Sequence, residues 1–421
     1  MLRPADLDQR LRAQRPEAAD PLGWRCLQLG LFLLPASAFL GGLLLVVALI
    51  QGSRRAPPPL ADPLNRALAL AALLLLLGAP LAFSGPLAWV GLGNWLPFFW
   101  AYWAWQPYLA TAAARRRLAL WLLAGTVPVV VSGLGQLWWG WRGPWQLLGG
   151  LVIWFMAPGG RPEGRLSGLF DYANIAASWL ALVWPLALAA LLEAWGRWRR
   201  LAAGLPLAAG VLLAAFLTSS RNAWVALVLA LPPVIGPRQR RWLVPLLALP
   251  VLAVLLASVP GVPTALQEPL RQLVPQTLWA RLSDLQYAGE RPLASTRLAQ
   301  WGTALHLIAE RPWLGWGAAA FSRIYPQRTG LWHGHPHNLP LDLAISHGLP
   351  VALLVVGVVL VLLLRALGPA LASRQPFERA WWTAAALLAA LHATDIPLYD
   401  SRLNVAGWLL LAGLRAMVPP G

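Results

Sequence analysis

The chain has 421 residues, of which 58% are hydrophobic and only 12% charged, and it carries a formal net charge of +17. A soluble domain carries roughly a quarter charged residues, so this balance excludes an ordinary water-soluble protein and indicates a chain solvated by lipid. All 33 basic residues are arginine, and they are scattered between apolar runs. That pattern belongs to membrane topology and excludes a nucleic-acid-binding stripe.

In chain order, residues 1–25 are polar, contain acids and have no cleavage-site pattern, so they read as a cytoplasmic segment and not a signal peptide. Residues 26–50 are apolar throughout but broken by Pro35, Ala36 and Ser37. Spans of roughly the length a bilayer needs follow at 66–84, 94–112, 118–135, 172–193, 203–218, 222–236, 242–259, 346–366, 379–394 and 402–417. The arginine-rich turns at 54/55/66, 115–117, 197/199/200, 238/240/241 and 365/374/379 fall on one side, together with the N-terminal arginines and Arg415, only if 26–50 crosses twice. The excess of arginine then marks that side as cytoplasmic. The expectation is an all-α integral membrane protein of about twelve spans, with both termini and the tail 418–421 inside. Nine spans would lie within 26–259 and three within 338–417. Between them, 260–337 would be a long extracytoplasmic loop, longer than a connector needs and of the kind that usually carries function. The shorter outer segment 136–171 holds an apolar stretch, Leu147–Met156, expected to lie in the interface. The 26 tryptophans read as interfacial belts, and the single cysteine, Cys26, excludes an internal disulfide and a thiolate metal cluster.

Four clusters of chemically capable residues all fall on the outer side. Arg221 opens a span in Ser219-Ser220-Arg221-Asn222-Ala223-Trp224. A cation in a helix's first turn opposes the macrodipole. It is either an arginine snorkelling to headgroups or, with the helix N-terminus, half of an anion site. Arg297 follows Ser295 and Thr296, either of which suits an N-cap, and Leu298, Trp301, Leu305 and Ile308 then recur at helical spacing. This is an amphipathic helix whose first turn again holds an arginine, so the two arginines together suggest a clamp on one anion. His333, His335 and His337 alternate just before a span, next to Asn338. In an extended segment they share one face, either as a metal site, with Asp342 the nearest acid, or as the source of a general base. His306, His347 and His392 read as structural. Asp395, Tyr399, Asp400 and Arg402 make the turn between the last two spans; a local Asp–Arg402 pair is one reading, and a carboxylate orienting His337 is the other.

These residues resemble the O-antigen ligase and polymerase-like membrane proteins. The resemblance rests on Ser220-Arg221-Asn222-Ala223-Trp224 and on Arg297-Leu298 with Trp301. It continues through Arg311-Pro312-Trp313-Leu314-Gly315-Trp316-Gly317, His335-Pro336-His337-Asn338 and His347-Gly348-Leu349-Pro350. Phe170-Asp171-Tyr172-Ala173-Asn174 resembles the family's upstream Asn-containing segment. The resemblance implies a multi-span helical glycosyltransferase in the plasma membrane. It would move a glycan from a polyprenyl-pyrophosphate donor to a hydroxyl of lipid A-core or another glycan on the extracytoplasmic face. It implies Arg221 and Arg297 as pyrophosphate contacts, His337 as the base and Asp395 as the acid of the last loop. Ser220, Trp224, Trp301, His335, Asn338, Tyr399, Arg402 and Asn174 are expected to line the substrate. No cofactor, metal or nucleic acid is expected. The alternative within the family is a polysaccharide polymerase. One branch is labelled as inorganic-carbon or bicarbonate transport proteins, but a carrier places ionisable groups at the midplane, whereas here the polar residues sit at the outer edge.

Overall fold

The computed structural model describes residues 13–259, 261–276, 279 and 292–418. Residues 1–12, most of 277–291 and the last three residues, which belong to the expected N-terminal segment, long loop and tail, lie outside the described residues.

The described chain is a helical bundle. Its helices are α1 (Pro21–Leu33), α2 (Ala38–Ser53), α3 (Pro63–Gly78), α4 (Pro86–Gly91), α5 (Leu96–Ala104), α6 (Ala112–Gly125) and α7 (Val127–Trp138). A small hairpin, β1 (Trp145–Leu147) and β2 (Val152–Trp154), follows. Then come α8 (Ala173–Ala194), α9 (Trp198–Leu217), α10 (Arg221–Leu229), α11 (Leu231–Ile235), α12 (Pro237–Ser258) and α13 (Thr264–Leu273). The last five are α14 (Arg297–Glu310), α15 (Ala320–Thr329), α16 (Leu339–Ala372), α17 (Pro376–Leu391) and α18 (Ser401–Met417). Among the described residues, five helical stretches are long and apolar enough to cross a membrane: Pro63–Leu81, Ala112–Trp138, Ala173–Ala194, Trp198–Leu217 and Leu339–Ala372. Ala38–Ser53, Arg221–Ile235 and Leu243–Ser258 are shorter apolar helices.

Residues 26–50 do form two helices. Ser37 caps the second, its hydroxyl accepting from Leu40 N. The pair closes through glycine: a Cβ on Gly41 would lie 2.7 Å from Leu34 Cα, a close approach of the kind that packs helices in lipid. The expected span over 94–112 is instead two short 3-10 turns around the nine-residue α5. Pro97 and Pro107 start new helical segments there, because neither can donate a backbone bond to the preceding turn. The interfacial stretch Leu147–Met156 is largely the β hairpin, with Trp145 paired to Trp154 and Gln146 to Ile153.

α8 forms the centre. Every residue from Ala176 to Ala187 is buried, which makes it a helix apolar on all faces and packed on all faces. α8 and α9 run antiparallel, since Arg165 donates to both Asn174 Oδ1 at the start of α8 (2.6 Å) and Thr218 O at the end of α9 (2.8 Å). The loop bearing Arg165 is in turn held by Gln136, which accepts from Ser167 N and Gly168 N and donates to Ala157 O.

The bundle therefore has two ends. The far end, at the close of α8, is tied by charged pairs. Arg115 makes two hydrogen bonds to Glu378 and one to Leu109 O, all buried, and Arg116 pairs with Glu193 at 2.6 Å. Arg379 donates to Val234 O and Ser373 O, and Arg415 pairs with Asp62. The near end, at the starts of α8, α10, α16 and α18, holds the residues singled out in the sequence.

Candidate functional site

The core of the near end is a histidine turn. His333, His335 and His337 do come together, with ring centroids 4.5 Å apart for His335 and His337 and 6.4 Å for His333 and His337. They do so in a turn and not as an extended strand: His337 has φ +53°, in the left-handed region, which costs a non-glycine residue roughly 1–2 kcal/mol. The backbone N–H of His337 donates to His335 Nδ1 at 3.2 Å. Asn338 then caps α16, its Oδ1 accepting from Leu341 N while its Nδ2 donates to Ala393 O.

The acid beside this turn is Asp395, from the turn between the last two helices, and not Asp342, the nearest acid in sequence. Asp395 Oδ1 lies 3.0 Å from His337 Nδ1 and also accepts from Ile396 N. Asp342, although nearer in sequence, faces inward and accepts from Tyr399 Oη. Helical geometry explains the difference: Asp342 sits one turn inside α16, whereas Leu339 N bonds His392 O at 2.8 Å and so brings the end of α17 against residue 337. Burial alone would raise the Asp395 carboxyl, but the His337 hydrogen bond and the charges of His337 and His335 hold it below its usual range. Burial, helped by the charge of His337, pushes His335 down to about 4, and burial also lowers His333. With Asp395 ionised, the proton shared with His337 belongs on Nδ1, which leaves Nε2 as the acceptor. The Asp–His geometry is that of an oriented general base.

Two arginine-bearing helix starts are fastened to this turn. α14 opens at Arg297, with Thr296 as N-cap accepting from Ala299 N. Trp301 Nε1 donates to Pro336 O at 2.9 Å, and Gln300 Nε2 lies 3.3 Å from His333 Nδ1. The charge of Arg297 reaches His335, where it helps hold the imidazole neutral. The helix is present: Gln300, Ala304, Leu307 and Ile308 face the protein, whereas Leu298 and Leu305 are exposed. α10 opens at Arg221 after Ser219, whose φ is +51°. Asn222 Nδ2 donates to Thr394 Oγ1 at 2.9 Å, one residue from Asp395. Ser220 is buried at the N-cap position and makes no side-chain cap bond, so its hydroxyl does not satisfy the helix start. The α10 N-terminal amides thus have no cap from Ser220, and Arg221 is the first residue of that helix.

Other expected residues are placed differently. Trp224 stacks on Phe216 and donates to Phe216 O. Arg402 is held by both Asp400 oxygens and Leu169 O, with its guanidinium 3.7 Å over the Phe170 ring; this is the local pair. Asn174 accepts from Arg165. The Tyr399 ring lies 5.9 Å from His335 while its hydroxyl serves Asp342. Sequence reasoning passed over Asn222, Gln300 and Thr394, which join the pieces. The available signal was position: Asn222 follows Arg221 in a first turn, and Gln300 lies one helical turn from Arg297.

The segment 311–317 has a structural task. Trp316 N and Gly317 N bond Ile345 O and Ser346 O, and Leu349 N bonds Pro312 O, across the break in α16 at Gly348 (φ +84°). A Cβ on Gly348 would fall 2.1 Å from Trp313 O, and one on Gly315 would fall 2.6 Å from His347 N. Backbone lies against backbone there, which only glycine permits.

Potential ligand atoms of His335, His337 and Asp395 lie within 4.8 Å of one another. Two imidazoles and a carboxylate are a donor set zinc accepts, but the 3.0 Å separation of His337 Nδ1 and Asp395 Oδ1 is a hydrogen bond.

Residues 207–356 match a family model described as O-antigen ligase. The match spans the helix start at Arg221, α14, the 311–317 segment and the histidine turn. No curated protein matches the chain. The O-antigen ligase resemblance read from the motifs is therefore matched over residues 207–356, in a chain whose described residues include five helices long and apolar enough to cross a membrane.

Proposed function

We propose that the chain is an O-antigen ligase-like glycosyltransferase of the plasma membrane. It moves a glycan from a polyprenyl-pyrophosphate donor to a hydroxyl of lipid A-core or a related acceptor, on the extracytoplasmic face and without a metal. The observation that carries this reading is the convergence of two arginine-led helix starts on one Asp-oriented histidine. Outside the cytoplasm the donor must carry its own leaving group. Pyrophosphate leaves once its charge is neutralised, and Arg221, Arg297 and the α10 amides supply that neutralisation. Arginine stays protonated and cannot serve as base. His337 Nε2 takes the proton of the acceptor hydroxyl, whose oxygen bonds the anomeric carbon as the carbon–pyrophosphate bond breaks. Attack opposite the leaving group inverts the anomeric configuration. Asp395 holds the imidazole and balances the charge it acquires.

The test is a deletion strain complemented with wild type, Arg221→Ala, Arg297→Ala or His337→Ala, scored by surface-glycan gels beside bicarbonate uptake. Each variant is expected to insert and to leave the glycan unattached. Normal surface glycan in all three variants, or a carbon-uptake defect with intact glycan, contradicts the reading.

A further inference from the structure

The far end of the bundle holds a cavity the proposed reaction does not use. α8 and α9 are tied at their near ends by Arg165, so the close of α8 and the opening of α9 lie roughly 30 Å away, at 1.5 Å per residue. There a cavity of about 380 Å³ opens between α6, α8 and α9. Its body is hydrocarbon: Leu120, Leu123, Ala190 and Leu207. Small residues keep it open, and a Cβ on Gly204 would meet only Leu191 Cδ2, at 3.5 Å.

The mouth is basic. Arg116, Glu193 and Arg200 line it. Arg116 is fixed by Glu193 at 2.6 Å and lies 5.4 Å over the Phe377 ring. Arg200 is exposed, and Arg197 and Arg199 are exposed beside it. Trp195 and Trp198, 80% and 74% exposed, stand in the same turn. Exposed tryptophans beside arginines mark the headgroup level of a bilayer, and basic pockets between membrane helices suit anionic headgroups.

We propose that this cavity binds an anionic glycerophospholipid, its phosphate at Arg200 and one acyl chain in the Leu/Ala-lined groove. Charge complementarity selects the headgroup: Arg116 and Arg200 line the mouth beside the single acid Glu193, and Arg197 and Arg199 add positive charge in the adjoining exposed turn. The apolar depth selects a lipid over free phosphate, which has no use for a hydrocarbon wall. The inference is independent of the glycan reading, because neither the arginines nor the groove touches the near end.

The test uses the full chain in detergent micelles and follows thermal unfolding on titration. The probes are phosphatidylglycerol, phosphatidylcholine with the same acyl chains, and glycerol phosphate. Phosphatidylglycerol is expected to raise the midpoint; the other two are not. Arg200→Gln is expected to weaken the phosphatidylglycerol response about fivefold, the factor one arginine near a headgroup supplies. Gly204→Phe, which fills the groove, is expected to abolish it. Should Gly204→Phe lower the midpoint without lipid, Arg200→Gln alone decides. Equal responses to the two phospholipids, a full response in Arg200→Gln, or the same shift with glycerol phosphate overturns the proposal.

Discussion

Asp395 turns His337 from a surface imidazole into an oriented one. It accepts from Nδ1 and so leaves Nε2 available. Asp395→Asn is expected to lower glycan transfer by about 10²–10⁴-fold, the range of general-base contributions, with the fold intact by circular dichroism; an unchanged rate removes Asp395 from the mechanism. His335 is different, because its nitrogen accepts from His337 N and its side chain prefers to be neutral. Burial moves it from 6.5 to about 4 in the fold. Between those values the unfolded chain binds a proton that the folded chain does not. Stability is therefore intact above about pH 6.5 and drains as pH falls toward 4. His335→Gln is expected to flatten the dependence of the unfolding midpoint on pH in this window, and an unaltered slope contradicts the assignment. At residue scale the sequence revealed the actors and offered the last turn's acids to either His337 or Arg402, and the structure gives Asp395 to the one and Asp400 to the other. Asp342 is close in number to the histidines and Asp395 is far, and only the Leu339–His392 contact reverses that order.

Elements place these side chains through short backbone contacts. The 311–317 segment lies along the break in α16, and Gly348 allows Trp313 O to approach. Gly348→Ala is expected to destabilise by more than about 1 kcal/mol, since alanine disfavours φ +84° and its Cβ meets backbone. Wild-type thermal stability in that variant refutes the clamp. The motif was visible as a string of glycines and aromatics, but its task was not, because a glycine needed for close approach looks the same in sequence as one needed for a turn. α14 shows the same limit. Its Thr296 cap, its Arg311 end and an apolar stripe were legible, but helical spacing alone did not say which face meets the protein. In a membrane-bound chain an apolar face can meet lipid instead, and the polar Gln300 is the one buried. At the far end, Glu378→Ala is expected to destabilise by about 3–5 kcal/mol by leaving Arg115 buried and unpaired. A loss under 1 kcal/mol would mean that water replaces the carboxylate.

Across the whole molecule, charge placement and helix direction agree. Paired arginines tie the far end, and the histidine turn with its two helix starts sits at the near end. The two-ended order was legible because arginine bias and apolar run length are summed over many residues. The breaks were less legible: proline-divided 94–112 has enough apolar content to read as a span, and the apolar 147–156 carries no sign of its hairpin. We propose that the far end is cytoplasmic and that both termini lie there. Single cysteines introduced at Arg199 and at Gly334, in a Cys26→Ser background, are expected to react with an impermeant maleimide from opposite sides of the membrane; labelling from one side contradicts this. The proposed mechanism is glycan transfer by Arg221, Arg297 and an Asp-oriented His337 without a metal. Its most direct test is transfer from a polyprenyl-pyrophosphate glycan to lipid A-core by the purified chain in vesicles, with chelator in excess. Wild type is expected to transfer at an undiminished rate, and Arg221→Ala, Arg297→Ala and His337→Ala to fall at least about 100-fold. Variants that transfer at the wild-type rate, or wild-type activity lost to chelator and restored by zinc, would contradict it.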